Sequence, residues 1–84
     1  MVFKFNFPNG INKSIVEQKI AEAIMSAECM FGQAKVKMYA GYAISENKAV
    51  IDGASDVGEY IAQIFTGIMT REIGDDSFTV ERVK

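Results

Sequence analysis

Hydrophobic and polar residues alternate along the first seven positions, where Phe3, Phe5 and Phe7 fall on one face. Alternation with a period of two is typical of a strand that buries one of its sides. The same pattern returns at residues 34–44, 48–52 and 77–83. The sequence therefore predicts four strands, each with one face turned towards a core.

Between the first two strands, the apolar spacing changes to that of a helix over residues 14–31. The inward-facing positions are Val16, Ile20, Ala23, Ile24, Ala27 and Phe31. They span the arc of about 100° that a core-facing helix needs. Ser14 and Glu17 have the spacing of a capping box, which predicts the start of the helix, and Gly32 predicts its end.

A second helix is predicted over Asp56–Ile73, with Asp56 as its N-cap and Gly74 after its end. Its central apolar stripe consists of Val57, Ile61, Ile64 and Ile68. Phe65 and Met69 widen the apolar arc to about twice the width that contact with one layer requires. We therefore expect this helix to touch something besides its own sheet, and a second subunit is the expected partner in so small a protein.

The predicted element order is βαββαβ, in a single domain that spans residues 1–84. Right-handed crossovers favour an α+β two-layer sandwich, in which a four-stranded antiparallel sheet carries both helices on one face. The ferredoxin-like arrangement, with strand order 4-1-3-2, is the leading topology. The expected core residues are Phe3, Phe5, Phe7, Val16, Ile20, Ile24, Val36, Met38, Ile61, Ile64, Ile68, Phe78 and Val80.

Composition narrows the class of protein further. The chain has a formal net charge of −2, which gives it no general attraction for nucleic acid or anionic lipid. A single cysteine excludes an internal disulfide framework and is typical of a reducing compartment. No apolar run approaches the length of a membrane span, and no targeting segment is apparent. We therefore expect a cytoplasmic protein with no membrane partner.

The residue types available for catalysis are few. Histidine is absent, which removes the commonest general base and the commonest metal ligand. Cys29 is predicted near the C-terminus of the first helix, where the carbonyl ends of the helix disfavour a thiolate. We therefore expect no enzymatic activity from the single chain. An oligomer that assembled a pocket between two chains would be the exception.

Four aspartates, at positions 52, 56, 75 and 76, raise the possibility of a metal site. They lack the ligand spacing of a calcium loop, and turn or capping roles account for all four. The segment Gly53–Asp56 precedes a helix but lacks the lysine and the glycine spacing of a phosphate-binding loop. The sequence therefore predicts neither a metal nor a cofactor.

The sheet face turned away from the helices offers one alternative function. Its expected residues are Lys4, Lys35, Lys37 and Tyr39 beside Val2, Val50, Thr79, Glu81 and Val83. The stretch Met38–Ile44 resembles the aromatic motif of RNA-recognition domains, and the resemblance implies base stacking on an open sheet. The motif falls on the second predicted strand, however, where that family carries it on the third. Tyr39 and Tyr42 also alternate to opposite faces, so we expect no nucleic-acid partner.

A further resemblance concerns the segment that follows the first strand. Phe7-Pro8-Asn9-Gly10-Ile11, between a strand and a helix, is similar to the corresponding loop of the HPr phosphocarrier family. The phosphorylated histidine of that family would fall at Asn12, and no arginine stands beside it. The resemblance therefore implies an HPr-like scaffold without the phosphoryl-transfer chemistry.

These observations predict a small, non-catalytic protein-interaction or regulatory module that binds itself as a homodimer or binds another protein. The candidate interaction residues are Val2, Lys4, Lys37, Tyr39, Val50, Phe65, Met69 and Val83. They divide into the open sheet face and the flank of the second helix. The sheet face is the preferred dimer surface because it is the flatter and larger of the two.

Overall fold

A computed structural model describes all residues, 1–84. The elements in chain order are β1 (Val2–Asn6), α1 (Lys13–Phe31), α2 (Gln33–Tyr39), β2 (Tyr42–Ser45), β3 (Lys48–Asp52), α3 (Asp56–Ile73), a 3₁₀ turn (Asp75–Ser77) and β4 (Thr79–Val83). The fold is α+β, with one four-stranded antiparallel sheet and three helices.

The strands lie in the order β2-β3-β1-β4, and every neighbouring pair is antiparallel. Read from the other edge, this is the predicted order 4-1-3-2. The central strand β1 aligns Phe5 with Ala49 of β3 and with Val80 of β4. Strands β2 and β4 form the two edges of the sheet, which is open.

One face of the sheet carries the core. Phe5, Ala49 and Ile51 point to this face and are buried together with residues of all three helices. The side chain of Phe5 lies at the centre, with the ring centroid of Phe65 at 4.8 Å and that of Phe78 at 6.5 Å. The helices therefore occupy one face of the sheet, as predicted, and the opposite face has no covering layer.

The predicted second strand over residues 34–44 is wrong in its first half. Residues 33–39 form helix α2, and only Tyr42–Ser45 is a strand. Gln, Ala, Lys and Met are all favourable helix formers, so the apparent alternation competes with helix propensity. Val36, the buried residue of this short helix, packs into the core, and α2 contacts both α1 and α3. The architecture therefore has a third helix that the sequence pattern did not indicate.

Two residues of the expected core, Met38 and Val80, are exposed. Met38 lies on the outer side of α2 and is 73% exposed. Val80 points to the helix face, since it is aligned with Phe5, but it lies on edge strand β4 and remains 39% exposed. Ile24, Ile64, Ile68 and Phe3 are only partly buried, although they pack against the core.

The prediction that α3 presents an exposed apolar flank is also wrong. Phe65 and Met69 are completely buried, so neither belongs to a surface that another subunit can reach. Tyr60 places its hydroxyl 3.3 Å from Ser26 of α1, and Ile64 and Ile68 follow it at helical spacing on the same side. The apolar arc of α3 is wide because the sheet covers one part of it and α1 covers another.

The caps of the two long helices differ from the predicted ones. Asn12 caps α1, since its side chain accepts a hydrogen bond from the Ser14 amide, so the Ser14–Glu17 capping box does not set the start. Ser55 caps α3 by accepting from the Gly58 amide at 3.1 Å, and Asp56 is the first helical residue. The predicted ends at Gly32 and Gly74 are confirmed, and both glycines have positive φ.

Helix α3 starts in very close contact with the end of β3. A Cβ atom on Gly58 would lie 1.8 Å from the carbonyl oxygen of Asp52, and a Cβ atom on Gly53 would lie 2.4 Å from the ring of Phe3. Both positions therefore require glycine for close approach. This contact sets the distance between the start of α3 and the end of β3.

Candidate interaction site

A groove lies between α3 and edge strand β4, and we call it the α3–β4 groove. It has a volume of about 270 Å³ and is lined by Phe3, Ala62, Gln63, Thr66 and Val80. Phe3 comes from β1, Val80 from β4 and the other three from α3. It is the one pocket on the surface of the chain.

The walls of the groove are apolar although one of the α3 residues is a threonine. The Thr66 hydroxyl donates a hydrogen bond to the Ala62 carbonyl at 2.7 Å, which satisfies it within the helix. Its other Cβ substituent is a methyl group, so Thr66 offers an apolar surface. The groove is therefore suited to an apolar side chain, with the exposed amide of Gln63 as its polar group.

One end of the groove carries a positive charge. Arg82 is aligned with Phe3 across β1 and β4, and its Cζ lies 5.8 Å from the centroid of the Phe3 ring. This distance falls within the range of a cation–π contact. Phe3 therefore contacts the guanidinium and also lines the groove.

The free edge of β4 runs beside this groove. The Gly53 amide donates to the Met1 carbonyl, and the Phe7 amide donates to the Asn47 carbonyl, so the odd-numbered residues of β1 bond to β3. In an antiparallel sheet the hydrogen-bonding direction alternates along a strand. The even-numbered residues of β1 therefore bond to β4, and Val80 and Arg82 direct their own backbone groups to the free edge.

The open sheet face contains four of the predicted interaction residues. Val2, Lys4, Val50 and Val83 lie on it and are half-buried. Val2 is aligned with Val83, and Lys4 lies between Val50 and Glu81. The face is a mixture of small apolar patches and charges.

Lys37 and Tyr39 do not lie on the open sheet face, contrary to prediction. Both are exposed residues of α2, on the other side of the molecule from that face. Lys35 also belongs to α2, where its ammonium lies 3.1 Å from Asp56 and 5.0 Å from the centroid of the Phe31 ring. The face turned away from the helices carries no aromatic side chain, so the RNA-binding hypothesis loses its stacking platform.

The predicted structural roles of the aspartates can be compared with their hydrogen bonds. Asp52 accepts from the Ala54 amide at 2.9 Å, as expected for a residue at a turn. The ammonium of Lys35 donates to Asp56 and lowers the pKa of that carboxyl below its ordinary value. No three residues among the carboxylates and Cys29 are grouped as ligands for a metal ion. Cys29 is exposed and unpaired.

The segment that resembles the HPr loop has a structural role in this chain. Asn12, at the position of that family's phosphorylated histidine, caps α1. Asn47, in the β2–β3 turn with a φ of 60°, accepts from the Ile11 amide at 3.2 Å. These bonds hold the loop before α1 against the hairpin.

The α3–β4 groove was not predicted from the sequence. Phe3 and Val80 were assigned to the core face, which is their actual face, but a closed core was expected over them. The sequence did contain one indication of the groove. Ala62 and Thr66 are small residues, and they lie on the side of α3 that faces β4. Recognising it would have required the strand order and the position of α3 over the sheet.

Comparison with known proteins gives no family for this chain. No protein-family model matches it, and neither a curated protein nor a solved structure is significantly similar to it. None of its helices combines the length and the apolar character needed to cross a membrane.

Proposed function

We propose that this chain is a non-catalytic protein-interaction module that accepts an extended segment at the free edge of β4. The observation that carries the proposal is the position of the α3–β4 groove directly beside that edge.

We propose further that the fold is ferredoxin-like, which the strand order and the two split βαβ units support. The exposed, unpaired Cys29 supports the cytoplasm as its location.

Strand addition requires two features that this edge combines. An added strand gains affinity from backbone hydrogen bonds, and pockets for alternate side chains give specificity. Val80 and Arg82 supply outward-facing backbone groups, and the α3–β4 groove lies on the helix face where every second side chain of an added strand would point. An apolar residue of the partner fits the groove because its walls are apolar.

The opposite edge is less suited to the same role. Strand β2 has four residues, and no pocket lies beside it. On its helix face, Ile44 is already packed against the core. An added strand at β2 would find backbone groups but no site for a side chain.

The open sheet face is a second candidate for homodimer formation. The alignment of Val2 with Val83, together with the half-buried Val50, favours it. Three strands of five residues and one of four, about 4.8 Å apart and with a rise of about 3.3 Å per residue, give a footprint of roughly 300 Å². A stable interface usually buries about 800 Å² on each partner. The face would therefore need contacts beyond the sheet to hold a dimer.

Selection from a library of displayed random peptides tests the proposed function. Selected peptides should carry a recurring apolar residue, and their binding should shift the amide NMR signals of β4, Phe3 and Thr66. Thr66→Arg fills the groove and should weaken binding at least about tenfold. Thr70→Arg is the matched control, since Thr70 also bonds to a helix carbonyl but lies outside the groove.

Two results would contradict the proposal. One is the failure of any selected peptide to perturb β4 while the protein is folded and monomeric. The other is an equal loss of binding in the Thr66→Arg and Thr70→Arg variants, which would indicate a nonspecific effect of charge on α3.

A further inference from the structure

We propose that the extended segment accepted at this edge is β4 of a second copy, antiparallel across a two-fold axis that passes beside Val80. This inference rests on the proposed function and names the partner. The two sheets would then join into one eight-stranded sheet, with the helices of both copies on the same face. The argument comes from the alternation and the charges along β4.

Symmetric pairing allows only a few registers. Residues that face each other across the axis must lie on the same face of the sheet, and the bonding groups of both strands must point outwards. Axes at Val80, Glu81 or Arg82 meet these conditions and overlap at least three residues of each strand, whereas axes at Thr79 or Val83 meet them but overlap only one. The three registers differ in which side chains are placed opposite each other.

Charge distinguishes the three registers. An axis at Glu81 places two carboxylates opposite each other, and an axis at Arg82 does the same with two guanidiniums. Like charges directly opposite each other destabilise a pair of strands. An axis at Val80 instead aligns the two valines and places Thr79 opposite Glu81. Only this register avoids a like-charge pair at the axis.

In the register with the axis at Val80, the charge at each end of β4 is also opposite to the charge that it meets on the other copy. Asp75 and Asp76 precede the strand, and Arg82 and Lys84 lie at its other end. Antiparallel pairing brings the basic end of each copy towards the acidic turn of the other. This arrangement gives attraction on both sides of the axis.

The backbone is compatible with the same register. Phe78, just before the strand, is extended, with φ −153° and ψ 162°. With the axis at Val80, each Phe78 faces Arg82 of the other copy, so the outward backbone groups of three residue pairs can bond. With the axis at Glu81, the two pairs between Val80 and Arg82 can also bond, so it is the charges and not the backbone that distinguish these two registers.

In this dimer the second copy shields part of the α3–β4 groove from solvent. Val80 forms one wall of the groove in each copy and is 39% exposed in the single chain. The two-fold axis places the valines side by side on the helix face. The two grooves therefore meet at the axis, and each Val80 removes the other from water.

Disulfide trapping tests the register in protein that carries Cys29→Ser. In a hydrogen-bonded antiparallel pair the Cα atoms are about 5.5 Å apart, which is within the range of about 4.4–6.8 Å for a disulfide. Val80→Cys should therefore give covalent dimers under mild oxidation. Glu81→Cys should give several-fold fewer, as should Tyr42→Cys on the other edge. Preferential linkage through Glu81 or Tyr42 would overturn the proposal.

Sedimentation at concentrations up to several hundred micromolar tests the association itself. The Cys29→Ser protein should form dimers. Val80→Pro removes an edge donor without affecting the bonds to β1 and should weaken dimerisation at least about tenfold. Tyr42→Pro removes the corresponding donor from β2 and should leave the dimer intact. Circular dichroism confirms that both variants are folded.

The remaining outcomes separate the two proposals. A monomer that binds selected peptides at β4 would overturn the second copy as partner and leave the proposed function standing. A monomer that binds no peptide at β4 contradicts both. A dimer that survives Val80→Pro but is lost in Val50→Glu would assign the interface to the open sheet face and overturn the pairing through β4.

Discussion

The ring of Phe65 meets the ring of Phe5 edge-on, with centroids 4.8 Å apart and planes at 89°. Edge-to-face contact of this kind contributes about 0.5–1.5 kcal/mol beyond the burial of area. It joins the middle of α3 to the middle of the central strand β1. The centre line of α3 therefore runs through Phe65, and its neighbour Ile64 lies to one side, towards α1.

Truncation of two isoleucines on α3 should give different losses of stability. Ile61 is fully buried, whereas Ile64 is only partly buried. We expect Ile61→Ala to lower the free energy of unfolding by about 2–5 kcal/mol and Ile64→Ala by less than about 2 kcal/mol. Urea denaturation of both variants measures the difference. Equal losses would contradict the assigned orientation of α3.

Two glycines of α3 should respond to alanine with opposite signs. Gly58→Ala places a methyl group against the Asp52 carbonyl and should destabilise the fold by about 1–3 kcal/mol or more. Nothing lies within 4 Å of a Cβ atom on Gly67. Gly67→Ala should therefore stabilise the helix by about 0.5–1 kcal/mol. Thermal denaturation monitored by circular dichroism compares the two, and a shift of the same sign in both would refute the prediction.

The cap of α1 can be tested with two neighbouring polar residues. Asn12→Ala removes the side chain that accepts from the Ser14 amide and should lower stability by about 0.5–2 kcal/mol. Ser14→Ala is the control, since Ser14 would be the cap if the capping box set the helix start. Its effect on the denaturation midpoint should be small. A larger loss at Ser14 than at Asn12 would restore the capping-box interpretation.

The ion pair between Lys35 and Asp56 predicts a dependence of stability on pH. The hydrogen bond from Lys35 lowers the pKa of Asp56 in the folded state. The stabilisation is therefore fully present above the ordinary aspartate pKa of about 3.9 and is lost as the pH falls through the lower folded value. Asp56→Asn removes this titration. The difference in urea midpoint between the two proteins should shrink between pH 6 and pH 2.5, and a constant difference would exclude this origin.

Nucleic-acid binding should be absent at physiological ionic strength. The net charge is −2, and the exposed lysines of α2 lie away from Lys4 on the open sheet face. A site that neutralised several phosphates would lose affinity steeply with salt. Filter binding with single-stranded RNA at low and physiological salt measures this. Tight binding with a steep salt dependence would contradict the prediction and return Lys4 and Lys37 to the candidate site.

The local pattern of hydrophobic and polar residues was sufficient to predict most of the helices and strands of this fold. The alternation of Phe3, Phe5 and Phe7, and the helical spacing from Val16 to Phe31, depend only on which side of each element is buried. The bounds Lys48–Asp52 and Asp56–Ile73 follow the predicted ones because Gly53 and Gly74 interrupt the pattern on either side. Such breaks are chemical properties of single residues, so they can be recognised without knowledge of contacts.

The tertiary structure decided the points where two local patterns compete or where one element has two neighbours. Residues 33–39 alternate and also favour a helix, and the contact of Val36 with the core selects the helix. Phe65 and Ile64 are equally apolar, and only the positions of the sheet and α1 determine which is buried. The α3–β4 groove depends on strand order, because Val80 would be covered if β4 were a central strand. The sequence by itself determined the elements and their inward faces, whereas long-range packing determined which inward residues remained open to a partner.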